Sequence, residues 1–144
     1  MKEQDYSNHM RLVAPFHFVL FPILLATLVG ACVNLYKSID DHQRLYSAAL
    51  LVALSFGVLM LFFFCRIFAL KAQDRAIRAE ENLRHFAMTG KLMDPRLTTR
   101  QVIGLRFASD AEFVALAAKA AEEGTDEKDI KKSVKHWRAD NYRV

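Results

Sequence analysis

Apolar and polar positions change rhythm twice along this chain. From Phe16 to Tyr36, and again from Leu45 to Phe64, no Asp, Glu, Lys or Arg interrupts the apolar run. The second run, LYSAALLVALSFGVLMLFFF, is twenty residues long. At about 1.5 Å per helical residue, that crosses the ~30 Å hydrocarbon core of a bilayer. Only residues 37–44 (KSIDDHQR) separate the runs. The pattern therefore predicts two antiparallel spans, about 16–36 and 45–65, in a transmembrane helical hairpin over 16–65 behind a polar lead of residues 1–15.

Past Arg66 the continuous run gives way to a repeat of three or four: Ala69, Ala72, Ala76, Ala79, Leu83 and Phe86 fall on one helical face. Neither Gly nor Pro occurs between Gly57 and Gly90, so the second span should continue as a charged juxtamembrane helix over 66–90. Asp74 with Arg78 and Glu80 with Arg84 are spaced to pair along it. Two alanine-rich heptads cannot hold a coiled coil alone. The seam needs a cover, either the tail folded back or another chain.

Gly90 and Asp94-Pro95 end that helix. Three short helices follow, each with its own start signal. Thr98 with Gln101 and Ser109 with Glu112 are spaced as capping boxes, and the second helix stops at Gly124. Thr125 opens the third, with Asp126, Glu127 and Asp129 in its first turn and Lys131, Lys132, Lys135 and Arg138 toward its end. Ile130, Val134 and Trp137 form its apolar stripe. The expected fold is all-α: a two-helix transmembrane hairpin, an extended second helix, and a small three-helix domain over 91–144. So few large apolar groups make that domain marginal alone, and it is expected to dock on the 66–90 helix.

Charge then orients the hairpin. The net +4 of the chain lies entirely in residues 66–144, with sixteen Lys and Arg against twelve Asp and Glu. Arg66, Lys71, Arg75, Arg78 and Arg84 flank the second span, against Lys37 and Arg44 in the connecting loop. Basic flanks stay cytoplasmic, so both termini are expected in the cytosol, with residues 37–44 on the other side of the membrane. Cys32 and Cys65 sit near opposite ends of the spans, about 20 Å or more apart in height, too far to bridge within one chain. Val29-Gly30-Ala31-Cys32 has the look of a lipidation box, but His17 and Pro22 interrupt the run before it.

Candidate chemistry is sparse. Ala26 and Gly30 in the first span and Ala49, Ala53 and Gly57 in the second are four apart, the spacing by which membrane helices approach closely. These ridges are expected to face each other or a second copy, with Ala72, Ala76, Ala79 and Leu83 continuing the packing surface outside. Pro22 should distort the first span, and Asn34 should cap its end. Asp40, Asp41 and His42 share one exposed loop without a closing ligand, a solvated turn rather than a metal centre. The spans carry no charged group of the kind that transport requires. No phosphate loop, nucleophile elbow, HExxH or CxxC occurs. No catalytic residue, cofactor or metal is expected.

A rival reading comes from Lys128, Lys131, Lys132, Lys135 and Arg138 with Trp137. A lysine-rich helix after Gly124 has the order of a helix-turn-helix and could meet nucleic acid or a cytoplasmic protein. Residues 107–144 nevertheless carry seven basic against eight acidic groups, and a DNA reader is basic overall. Trp137 discriminates: packed on Leu83 and Phe86 it is structural, exposed beside Lys135 and Arg138 it is a recognition surface. The basic residues next to the membrane also suit anionic lipid.

RIFALKAQDRAIRAEENLRHFAMTGKLMD, then QVIGLRFASDAEF and IKKSVKHWRADNYRV, with the opening KEQ-Y-NH, resemble a family of small two-span bacterial membrane proteins catalogued only as a domain of unknown function. The resemblance covers nearly the whole chain and implies an integral membrane protein, with no catalytic residue, ligand or partner attached. Together these readings lead to a non-enzymatic assembly or scaffold subunit that works through helix–helix association. It would form a homo-oligomer or join a larger membrane complex. The alternative is a membrane-tethered regulator.

Overall fold

The computed structural model describes residues 4–9 and 12–140; Arg11 of the polar lead and the closing residues 141–144 lie outside them. A π-helical turn over Pro15–Leu20 leads into α1 (Phe21–Lys37), and α2 runs unbroken from His42 to Thr89. Three short helices follow: α3 (Thr99–Leu105), α4 (Asp110–Glu123) and α5 (Glu127–Ser133). The chain divides into two compact units, one of Leu12–Ala69 and one of Met1–Arg11 with Leu70–Val144.

The Leu12–Ala69 unit is a hairpin of two helices, each long and apolar enough to cross a membrane. The disturbance expected at Pro22 takes the form of the wide turn just before it, where the Phe21 N–H reaches back five residues to the Phe16 carbonyl. Between the helices the expected eight-residue loop tightens to Ser38–Asp41. Ser38 is buried and donates to the Asn34 carbonyl at 2.8 Å. The Asp41 carboxylate accepts from the N–H groups of Gln43 and Arg44 and so caps α2.

The hairpin closes along a three-four repeat. Phe21, Leu24, Leu28, Ala31 and Leu35 on α1, and Leu45, Ala48, Val52, Ser55, Leu59 and Phe62 on α2, are its least exposed positions. Phe16 stacks on Phe62 with ring centroids 4.0 Å apart. The small-residue ridges are not in this seam. Ala26, Gly30, Ala49, Ala53 and Gly57 are all exposed, and a Cβ added at Gly30 or Gly57 would meet nothing within 4 Å. The facing stripes carry mostly Leu, Val and Phe, with Phe16 and Phe21 meeting Phe62, and the ridges lie about 90–180° round each helix from them, turned outward. The expectation that they face each other is corrected accordingly.

The other unit is a buried core on short helices. Met93, Leu97, Val102, Leu105, Phe113, Ala117, Ala120, Ile130 and Val134 pack together. Both expected capping boxes are present, Thr98 with Gln101 and Ser109 with Glu112. Gly124 ends α4 at φ +65°, a left-handed position suited to glycine. The last helix differs from expectation at both ends. Asp126, not Thr125, caps it, and it stops at Ser133 because Val134 turns extended. From there the chain becomes a strap beside residues 107–109: the Ser109 N–H donates to the His136 carbonyl at 3.1 Å and the Arg138 N–H to the Phe107 carbonyl at 2.7 Å. Residues 4–9 of the polar lead join the same unit. Gln4 and Asp140 exchange two hydrogen bonds, and His9 lies 5.9 Å from both the Phe107 and Trp137 rings.

Candidate functional site

The small domain docks on the continuing α2, as its thin core requires, but on the face opposite the alanine seam. Ile77 and Glu81 are buried there, while Ala69, Ala72, Ala76, Ala79, Leu83 and Phe86 are exposed. Arg84 explains the choice. Its side chain, 11% exposed, donates to Glu81 Oε2 at 2.9 Å, to Asp110 Oδ1 at 2.6 Å and to the Ala108 carbonyl at 2.8 Å. Its guanidinium also lies 4.2 Å from the Phe113 ring centroid. One planar fork thus ties α2 to the loop before α4 and to the core. Arg78 reaches Thr99 and Asn82 accepts from the Met93 N–H on the same side. The expected pairs of Asp74 with Arg78 and Glu80 with Arg84 are therefore replaced: Arg78 turns to α3, and Arg84 takes Glu81.

Glu81 is the buried carboxylate at this joint. Burial pushes its carboxyl up from the ordinary glutamate value, and the hydrogen bond and charge of Arg84 only partly oppose that. Arg138 adds a second cation 3.7 Å from Glu81 Oε1. Beside them a cavity of about 190 Å³ is lined by Gln73, Ile77, Glu81, Arg106, Arg138 and Asp140, among others. Arg106, itself buried, pairs with Asp140 at 3.3 Å and covers the Phe107 ring at 4.6 Å. Arg84 also holds the Asp110 carboxyl below its ordinary value. For Glu112, burial raises the carboxyl, but N–H donors from His136, Lys135 and Ser109 outweigh it and the net direction is down.

These groups hold structure together, and so do Lys131, Lys132, Trp137 and Arg138 of the expected recognition face. Lys131 pairs with Glu127 at 2.6 Å, and Lys132 with Asp129 at 3.1 Å. The Lys135 N–H and the His136 N–H both bind the Glu112 carboxylate. Arg138 turns to Glu81, and Lys128 borders an open cleft of about 390 Å³ with Tyr6, His9, Arg100 and Lys131. Lys135, Trp137 and Arg138 lie beyond the end of α5, so the six residues share no helical face. Trp137 is half-buried against Phe107, ring centroids 4.7 Å apart, rather than against Leu83 and Phe86. A seven-residue helix with two of its three lysines paired to its own acids is a poor groove reader.

Sequence reasoning missed Glu81, Arg106, the Gln4 tie and the contacts of Arg84 with Ala108 and Asp110, most of which join residues far apart along the chain. One signal was legible. Glu81 and Arg84 are three apart on the helix, the alternative spacing for an ion pair. Among the described residues no group of three His, Cys, Asp or Glu could hold a metal, and Cys32 and Cys65 are free and exposed.

What remains open is apolar. Ala72, Ala76, Ala79 and Leu83 face outward on the extended part of α2, and Leu83 is 68% exposed. Phe86 and Leu92 are exposed as well. In the hairpin Ala26, Gly30, Ala49, Ala53 and Gly57 are likewise available to something outside the chain.

A protein-family model described as a family of unknown function, DUF6526, matches residues 1–144, and the chain belongs to that family. No curated protein and no solved structure matches it.

Proposed function

Proceeding from a family with no assigned chemistry, we propose that this protein is a two-span integral protein of the bacterial inner membrane, and that it works as a non-enzymatic assembly subunit. One observation carries the reading. Along both hairpin helices the outward side chains are large and apolar, among them Phe18, Ile23, Val29, Leu50, Leu54, Phe56 and Leu61, all exposed. Leaving such groups in water forgoes about 1.5 kcal/mol or more each, and contiguous apolar surface of this extent belongs to lipid or to a partner.

Topology follows by the same physics. The contacts of Gln4 with Asp140 and of His9 with Trp137 favour both chain ends on one side of the bilayer. Arg66, Lys71, Arg75 and Arg78 favour the cytosol for that side. The outward ridges Ala49, Ala53 and Gly57 and Ala26 and Gly30 are the surfaces on which a second copy or another membrane subunit would seat.

The protein is expected to resist alkaline carbonate extraction from membranes. Protease should reach the Trp137 region only in inverted vesicles. Native mass spectrometry in detergent should detect oligomers or a co-purifying subunit, and Ala53→Leu with Gly57→Leu should loosen that assembly. Release by carbonate overturns the membrane reading, and a bare monomer with no partner overturns the assembly reading.

A further inference from the structure

We infer that the extended part of α2 pairs in parallel with the same helix of a second copy, in one register. The inference rests on the membrane reading above and names its partner. With Ala76 as heptad position a, the positions a and d from 69 to 86 are Ala69, Ala72, Ala76, Ala79, Leu83 and Phe86. All six are exposed. On the other side Ile77 and Glu81 are buried and Arg84 is largely covered by the protein's own small domain. The chain has thus used one face of this helix and left the other, which has the pattern of a coiled-coil seam, open except along one border, where Ala76 and Glu80 line the cavity of about 190 Å³ with Arg106, Arg138 and Asp140.

Charge selects the occupant. In this register Arg75 is at position g and Glu80 at the following e, and in a parallel pair g of one helix meets e of the next heptad on the other, five residues on. Arg75 of each copy therefore meets Glu80 of the other, twice by symmetry. Both side chains are exposed, and neither has an ion-pair partner among the described residues. An antiparallel pair that aligns the same six positions would instead set g against g and e against e, Arg75 against Asn82 and Glu80 against Gln73, with no opposite charges meeting. Two copies inserted in one membrane share an orientation, which makes parallel pairing the accessible one. Two heptads are too few to associate from free solution, but confinement to a membrane raises the effective concentration. Four alanines permit close approach of the helices, and Leu83 and Phe86 supply the apolar area at the far end.

The test uses the full chain in phospholipid vesicles, in a Cys32→Ser, Cys65→Ser background. Mild copper oxidation of Ala79→Cys should give a disulfide dimer in several-fold higher yield than Lys71→Cys, which is exposed but off the seam. Arg75→Glu alone, or Glu80→Lys alone, should lower the Ala79→Cys yield several-fold, and the two together should restore it. A yield at Ala79→Cys no better than at Lys71→Cys overturns the inference. So does a double charge reversal that cross-links no better than either single change. If native mass spectrometry still finds oligomers in that case, assembly stands and this interface falls; if it finds monomers, both fall.

Discussion

The two halves of α2 make opposite use of the same helix. Between His42 and Ala69 its inner stripe is Leu45, Ala48, Val52, Leu59 and Phe62, and its outer surface is also apolar. Beyond Leu70 its inner stripe is Ile77, Glu81 and Arg84, while its outer stripe is alanine, Leu83 and Phe86. In the hairpin the outward surface is as apolar as the seam, so side-chain packing rather than polarity distinguishes the two faces. In the small domain water lies outside, yet the polar side is the one turned inward, and it is tolerated because Arg84 satisfies Glu81, Asp110 and the Ala108 carbonyl together. This segment buries its ions against its own chain and leaves its alanines exposed, and the inferred pairing of two copies would cover that second face.

The sharpest way to break that contrast is to empty the core on one side only. Phe113 is fully buried, and Phe113→Ala is expected to cost about 3–5 kcal/mol. The readout is urea unfolding of the detergent-solubilised protein, followed by Trp137 fluorescence. Leu54→Ala, at a position 64% exposed, should leave the same transition where it was. Next in size is Arg84→Met, expected to cost about 3 kcal/mol at neutral pH by leaving Glu81 buried without its chief partner. Here the sign is diagnostic. A carboxyl raised by burial contributes stability that is present at low pH and lost as pH rises through its folded value. The Arg84→Met protein should therefore become more stable on mild acidification, and Glu81→Gln added to it should recover part of the loss.

Glycines give a smaller and cleaner version. Gly104 lies where α3 meets α5, and a Cβ there would sit 3.0 Å from the Glu127 carbonyl oxygen and 3.2 Å from an Ile130 methyl. Gly104→Ala should therefore cost about 1–3 kcal/mol in the same urea experiment. Gly57→Ala, with nothing within 4 Å, should cost the hairpin nothing.

The hairpin was legible because an uncharged run of twenty residues needs no partner to be recognised. The caps at Thr98, Ser109 and Gly124 were legible because their partners lie within a few residues. The docking face was not. Periodicity sees the alanine seam and assigns burial to it, whereas the fold buries the face carrying Arg84, whose partners Ala108 and Asp110 are 24 and 26 residues away. The end of α5 was misjudged for the same reason. Val134 and Trp137 fit a helical stripe, but the strap's bonds to Phe107 and Ser109 compete with helical ones and win. Most distant of all is the tie between Gln4 and Asp140, 136 residues apart. Local pattern records what a residue can do with its neighbours, and each error here sits where a long-range polar contact overrode it.

The smallest expected effect separates that strap from the rest of the small domain. The Glu112 carboxylate caps α4 through Ser109 and also accepts the N–H groups of Lys135 and His136. These donors favour the ionised form and outweigh its partial burial, so its folded value lies below the ordinary 4.5. A depressed carboxyl contributes stability that is present above its unfolded value and lost as pH falls through the folded one. Acidification below about pH 4.5 should accordingly loosen the strap, read as a change in Trp137 emission, before the core of Phe113 and Leu105 gives way. Glu112→Gln keeps the shape and removes the charge, so its Trp137 emission should no longer respond to pH in that window. The hairpin holds no carboxylate between Phe16 and Tyr36 or between Leu45 and Phe64, and its helicity should be indifferent to the same titration. An acid response of equal size in both units would mean that Glu112 is not the group that titrates.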